Sequence, residues 1–204
     1  MVRWVSESEC GPTIVAEGLL SGTPIATPQG WCCAGTLVAG DNVLTFEGGV
    51  QPLTHVPRLS LSADVPPVYW PLLVPAFAFG NRAPLLVLPD QKLLIEADRA
   101  EVLYGEPFAL VPAVALDGWR GVARHRLVDP LSVVQLGFDA PQIVYASRGL
   151  LMACAGDALS GFGATDPVTL GPVALGLEEA RELIACIVAE EAGVDLRQAI
   201  ARAV

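Results

Sequence analysis

Gly22-Thr23-Pro24-Ile25-Ala26-Thr27-Pro28-Gln29-Gly30, followed by Ala39-Gly40-Asp41-Asn42-Val43-Leu44-Thr45, reads as a short strand, a turn, and a second strand entered through a Gly-Asp turn. Next, Glu47-Gly48-Gly49-Val50 reads as a hairpin, because paired glycines supply the positive φ angles that a tight turn needs. Seventeen prolines and twenty glycines punctuate many short apolar runs across the whole chain, the pattern of an all-β domain. Strands are expected at 23–27, 42–47, 50–56, 85–88, 92–95, 108–111, 131–138, 142–147 and 150–154.

Composition narrows the function classes. Of the 204 residues 52% are apolar and 17% charged, which excludes a disordered chain. The most apolar region, Val65 to Leu88, is broken by Pro66, Pro67, Pro71, Pro75, Asn81, Arg82 and Pro84. A bilayer helix needs about 20 mostly apolar residues, so no membrane span is expected. The first residues carry Glu7 and Glu9 with no apolar core, so no signal peptide is expected either. Net charge is −10, with 12 basic residues scattered among 22 acidic ones. Nucleic acid, which is bound through clustered Lys and Arg, is an unlikely partner. Five cysteines at 10, 32, 33, 154 and 186 form no pair with metal or redox spacing. They read as reduced thiols of a cytoplasmic protein, and on a strand Cys32 and Cys33 would face opposite sides.

The period changes near the end. A run rich in Gly, Asp, Thr and Pro around 155–172 reads as a linker. After it, Leu177, Ala180, Leu183, Ile184, Ile187 and Val188 share one helical face. Glu178 and Glu179 suit the first turn, Gly193 is a stop, and Asp195 caps a final short helix through Ala203. Such a stripe packs on the parent domain or serves a partner or a second copy through residues 177–192.

Four blocks in order then resemble one bacterial branch of the Hint family, the self-processing module shared by Hedgehog proteins and inteins. They are the opening stretch through Leu53, Leu86-Val87-Leu88-Pro89-Asp90-Gln91-Lys92-Leu93-Leu94-Ile95, the run from Ala100 to Ala113, and the run from Val133 to Val144 with its Gly137-Phe138-Asp139-Ala140-Pro141. The resemblance implies a mainly β, Hint-like domain over 18–157, preceded by an extension at 1–17 and followed by linker and helices at 158–204. It also implies a chemistry. A Cys or Ser at the first position attacks the preceding carbonyl, and a His in a Thr/Ser-Pro-x-His block protonates the departing amine. Two further histidines stand in the last block.

In this chain those positions map to Gly18, Leu88, Gln91, Gln135 and Pro141. Glycine has no side chain to form the covalent intermediate. Glutamine hydrogen-bonds but does not titrate near neutrality. A retained fold without self-cleavage, acting as a binding or assembly module, is therefore expected rather than an enzyme. The alternative is a divergent self-cleaving protein whose nucleophile is Ser21 or Cys10. A third reading makes Asp90 and Asp139 a carboxylate pair for acid-base work. His55 reads as a hydrogen-bonded strand residue and His125 as part of a solvated basic loop. Gly161-Phe162-Gly163 lacks the third glycine and the preceding strand of a dinucleotide site, no phosphate loop is present, and no cofactor or metal is expected.

Overall fold

The computed structural model describes residues 15–155 and 172–193. The expected linker and the helix after Asp195 lie outside the described residues, as does Cys10. The first six strands are β1 (Leu19–Leu20), β2 (Pro24–Thr27), β3 (Gly30–Cys33), β4 (Asn42–Thr45), β5 (Gly49–Pro52) and β6 (Arg58–Leu61). They are followed by β7 (Leu72–Val74), β8 (Leu85–Val87) and β9 (Lys92–Glu96), then helix α1 (Asp98–Tyr104). The remainder is β10 (Phe108–Pro112), β11 (Ala123–Arg124), β12 (Leu131–Val134), β13 (Gln142–Ala146), β14 (Leu150–Cys154), β15 (Val173–Ala174) and helix α2 (Leu177–Glu191).

Every strand expected from sequence is present, several of them shorter. The run expected at 50–56 stops at Pro52, which has no N–H to continue a ladder. The run expected at 131–138 stops at Val134, where the chain leaves its partner strand and returns only as an isolated bridge between Gly137 and His55. Strands β1, β3, β6, β7, β11 and β15 and helix α1 are additions. Helix α1 carries Asp98 and Glu101 in its first turn, where carboxylates favour the helix dipole, and stops at Gly105 with φ 83°.

The large sheet runs in the order β15-β10-β9-β14-β13-β2-β3, with β4 and β5 joined through β13. Two three-stranded sheets, β1-β12-β6 and β11-β7-β8, complete the β framework. The register of β1 on β12 pairs Leu19 with Val134 and Leu20 with Val133. That pairing places the residue before β1, Gly18, alongside Gln135. The main core joins Ile25, Leu72, Leu93, Phe138, Val144 and Leu150 with the inner face of α2. A second core gathers Leu61, Leu88, Leu127 and Val133.

Helix α2 buries most of its apolar stripe on its own domain: Ala180, Leu183, Ile184 and Ile187 are buried against β10 and the turn at 113–116, while Val188, expected on the same face, is exposed. Its N-cap, Gly176, has no side chain, so Glu179 reaches back to accept the Gly176 N–H at 2.9 Å. Gly193, at φ 67°, follows the last turn as expected. Arg99 pairs with Glu190, Arg120 with Glu191 at 2.6 Å, and the Trp119 indole N–H donates to Glu191 at 3.1 Å. Among the described residues no helix is long and apolar enough to cross a membrane.

Candidate functional site

Where β1, β9, β12 and β14 come together, a cavity of about 120 Å³ opens to solvent. Its polar lining is Glu17, His55, Gln91, Gln135 and Cys154, with Gly18 at its base. The cavity brings together three of the sequence candidates, Gly18, Gln91 and Gln135.

Gly18 sits at φ 131°, a conformation that side chains rarely adopt. A Cβ added there would lie 2.7 Å from Cγ1 of Val133, 3.3 Å from the Val134 carbonyl oxygen and 3.4 Å from Cγ of Gln135. Backbone angle and the β12 wall thus both oppose a side chain at this position. The Gly18 N–H donates to Oε1 of Gln91 at 3.2 Å.

Gln91 is only 1% exposed, so each of its polar atoms needs a partner. Its Nε2 donates to the Ala153 carbonyl at 2.7 Å and to the Lys92 carbonyl at 3.2 Å. Its backbone N–H closes a turn onto Leu88 at 3.1 Å, and its carbonyl accepts the Ala113 N–H at 3.0 Å. The side chain ties the start of β1 to the end of β14. Gln135 is exposed, with its Nε2 3.5 Å from the Glu17 carbonyl oxygen and its backbone N–H on Pro57 at 3.1 Å.

Two residues of the lining carry charge or reactivity. Partial burial pushes the Glu17 carboxyl above its ordinary pKa, with Lys92 opposing the shift and Asp90 adding to it. Burial likewise drives the Cys154 thiol far up, and the Glu17 carboxylate raises it further. A thiol held protonated is a poor nucleophile.

The other sequence candidates stand outside the lining. Ser21 is tied through its backbone, N–H to Ser132 at 2.9 Å and carbonyl from Gly35 at 2.8 Å. Leu88 is fully buried in the second core. Pro141 and both carboxylates, Asp90 and Asp139, are exposed and border no part of the cavity. His125 is exposed on its loop, as expected. Among the described residues no group of three His, Cys, Asp or Glu side chains stands together as a metal site would require.

Sequence reasoning missed His55, Cys154 and Glu17 as cavity residues. His55 faces Gly137 across the isolated bridge, with Gly137 N–H donating to the His55 carbonyl at 2.9 Å. The ring lies where a Gly137 side chain would be, and Nδ1 is 2.9 Å from the Thr54 hydroxyl. No local pattern announces that placement, because the two residues are joined only by tertiary folding.

A family model described as a Hint domain matches residues 18–152. Among solved structures, the chain is similar to an intein-like domain from Clostridium thermocellum, at 14% identity and TM-score 0.48 over 67% of this chain and 97% of that one. It is also similar to a splice-inactive variant of the AceL NrdHF class 3 split intein, at 12% identity and TM-score 0.46 over 68% and 97%. A third is the MchDnaB-1 intein, at 18% identity and TM-score 0.45 over 67% and 98%. No curated protein matches the chain.

Proposed function

The chain belongs to the Hint domain family, and from that premise we propose that it keeps the family's fold without its self-cleavage and acts as a binding or assembly module. One observation carries the reading: the backbone at Gly18 has no side chain and no room for one. Self-cleavage in this family needs a nucleophile on that residue, and its loss removes the covalent route rather than slowing it. The proton route at the family's mapped positions is lost as well, and the His55 imidazole that lines the cavity sits 2.9 Å from the Thr54 hydroxyl. Gln91 holds the Gly18 amide where an imidazole would have to deliver a proton, and a carboxamide has none to give at neutral pH. A missing acid-base group alone costs about 10²–10⁴ in rate.

Ser21, the alternative nucleophile among the described residues, lies outside the cavity lining. The cysteine usage fits a reducing compartment, and we place the protein in the cytoplasm on that ground. The test is direct. The purified full chain is incubated for days at neutral pH with excess thiol or hydroxylamine, and its intact mass is followed. We expect one unchanged mass; a fragment cut before Gly18, before Ser21 or at Cys10 overturns the reading.

A further inference from the structure

The loop between β7 and β8 carries a feature that folding does not explain. Phe77 is 77% exposed, so it contributes little to the core. It is nevertheless held at φ 66°, in a region that costs a bulky residue on the order of 1 kcal/mol. The loop around it is pinned. Phe77 N–H donates to the Asn81 carbonyl at 2.6 Å, and Phe79 N–H to the Asn81 side-chain oxygen at 3.1 Å. The fully buried Asn81 donates in turn to the carbonyls of Pro75 at 2.7 Å and Ala83 at 2.9 Å. A strained, exposed aromatic therefore stands on a rigid base.

Against this loop lies the turn between β13 and β14. The Arg82 N–H reaches the Ser147 carbonyl at 3.4 Å, and Gly80 packs on Gly149. Arg82 and Arg148 are both exposed on these two apposed segments. Arg99, Arg120, Arg124 and Arg181 are each engaged by a carboxylate, whereas Arg58 donates only to backbone carbonyls and Arg126 is exposed without a carboxylate partner. Among the described residues the guanidinium groups of Arg82 and Arg148 have no such partner. In a chain with net charge −10, two exposed cations, one on the loop that carries Phe77 and one on the turn apposed to it, make a local excess of positive charge.

We propose that the face formed by Phe77, Arg82 and Arg148 docks an acidic segment of a partner polypeptide, one that carries an apolar side chain for Phe77 among its carboxylates. This rests on the binding-module reading and names the chemistry of its partner. The rigid loop lowers the ordering cost of association, and an aromatic flanked by arginines has the composition of an interface anchor. A nucleic acid fits less well. Stable binding to phosphates uses roughly 6–10 contacts, and the acidic remainder of the molecule would repel them.

The experiment titrates the full chain into a fluorescein-labelled peptide of alternating Glu and Leu and reads anisotropy at low salt. We expect saturable binding, weakened about tenfold by the double change Arg82→Glu with Arg148→Glu, the scale of two lost surface charge contacts. Phe77→Gly should weaken binding at least about fivefold while melting no lower than the parent, since glycine accepts the left-handed angle without strain. Absence of saturable binding, or unchanged affinity in both variants, overturns the proposal. Stronger binding of an oligothymidylate through the same arginines also overturns it and assigns the face to nucleic acid. If the peptide fails to bind while the chain keeps its full mass, the surface assignment falls and the loss of self-cleavage stands.

Discussion

Gln91 accepts the Gly18 N–H at 3.2 Å from 73 residues along the chain, and its own amide nitrogen donates to the Ala153 carbonyl at 2.7 Å. One carboxamide thus closes three strands around the cavity. Because it offers a donor and an acceptor at once, it satisfies groups that an imidazole in a single tautomer would satisfy differently.

Replacing Gln91 by Ala should therefore cost stability, not activity. It leaves the Gly18 N–H and the Ala153 carbonyl without their partner and opens a void beneath them. The expected loss is roughly 2–4 kcal/mol, read from urea unfolding. A change below about 0.5 kcal/mol would show that the bridge is dispensable.

Installing the family's thiol at position 18 should not produce self-cleavage. Gly18→Cys is expected to lower stability by roughly 2–4 kcal/mol, from the backbone angle and the contact with Val133. Combining it with Val133→Ala should recover part of that loss, giving a favourable coupling in a double-mutant cycle. Additive effects would mean that Val133 is not the obstacle.

Two carboxyls should give opposite pH responses. Glu17 has a raised folded pKa, so it favours the folded state below its ordinary value of 4.5, a benefit lost as pH rises through the folded value. Glu17→Gln should leave stability unchanged in relative terms at low pH and raise it at neutrality. Glu191 is held low, first by its hydrogen bond from Arg120 and then by that from Trp119. Its contribution is present above 4.5 and lost as pH falls through the lowered value, so Glu191→Gln should cost most at neutral pH. Parallel pH profiles for the two variants would contradict both assignments.

Thiol reactivity should follow exposure and charge. Cys33 is exposed, while Cys154 is buried with its thiol pushed up beside Glu17. In native protein, iodoacetamide should modify Cys33 quickly and Cys154 only at the rate of unfolding. Labelling of Cys154 at a rate comparable to that of Cys33, located by peptide mass mapping, would mean that the cavity activates this thiol.

The strands of the large sheet were legible because Ile25, Leu93, Val144 and Leu150 alternate with outward residues or sit between Gly and Pro breakers. Strand β3 was not, because Trp31 and Cys33 are exposed and no alternation marks the segment. Helix α1, at seven residues, is too short to declare a period. The convergence of Gly18, Gln91 and Gln135 followed from the ordered blocks. What the sequence could not convey was steric: the φ angle of Gly18, the methyl of Val133 against it, and the His55 ring over Gly137 all depend on register between distant segments.

The position of Val133 also gives the chain a direction in evolutionary time. While its methyl fills the volume beside Gly18, a single codon change to a thiol or hydroxyl there yields a misfit. Reversal would need the wall, the backbone and a proton carrier to change together. On the proposed reading the cleft works as a ratchet, and further drift is free to build a new role on that surface.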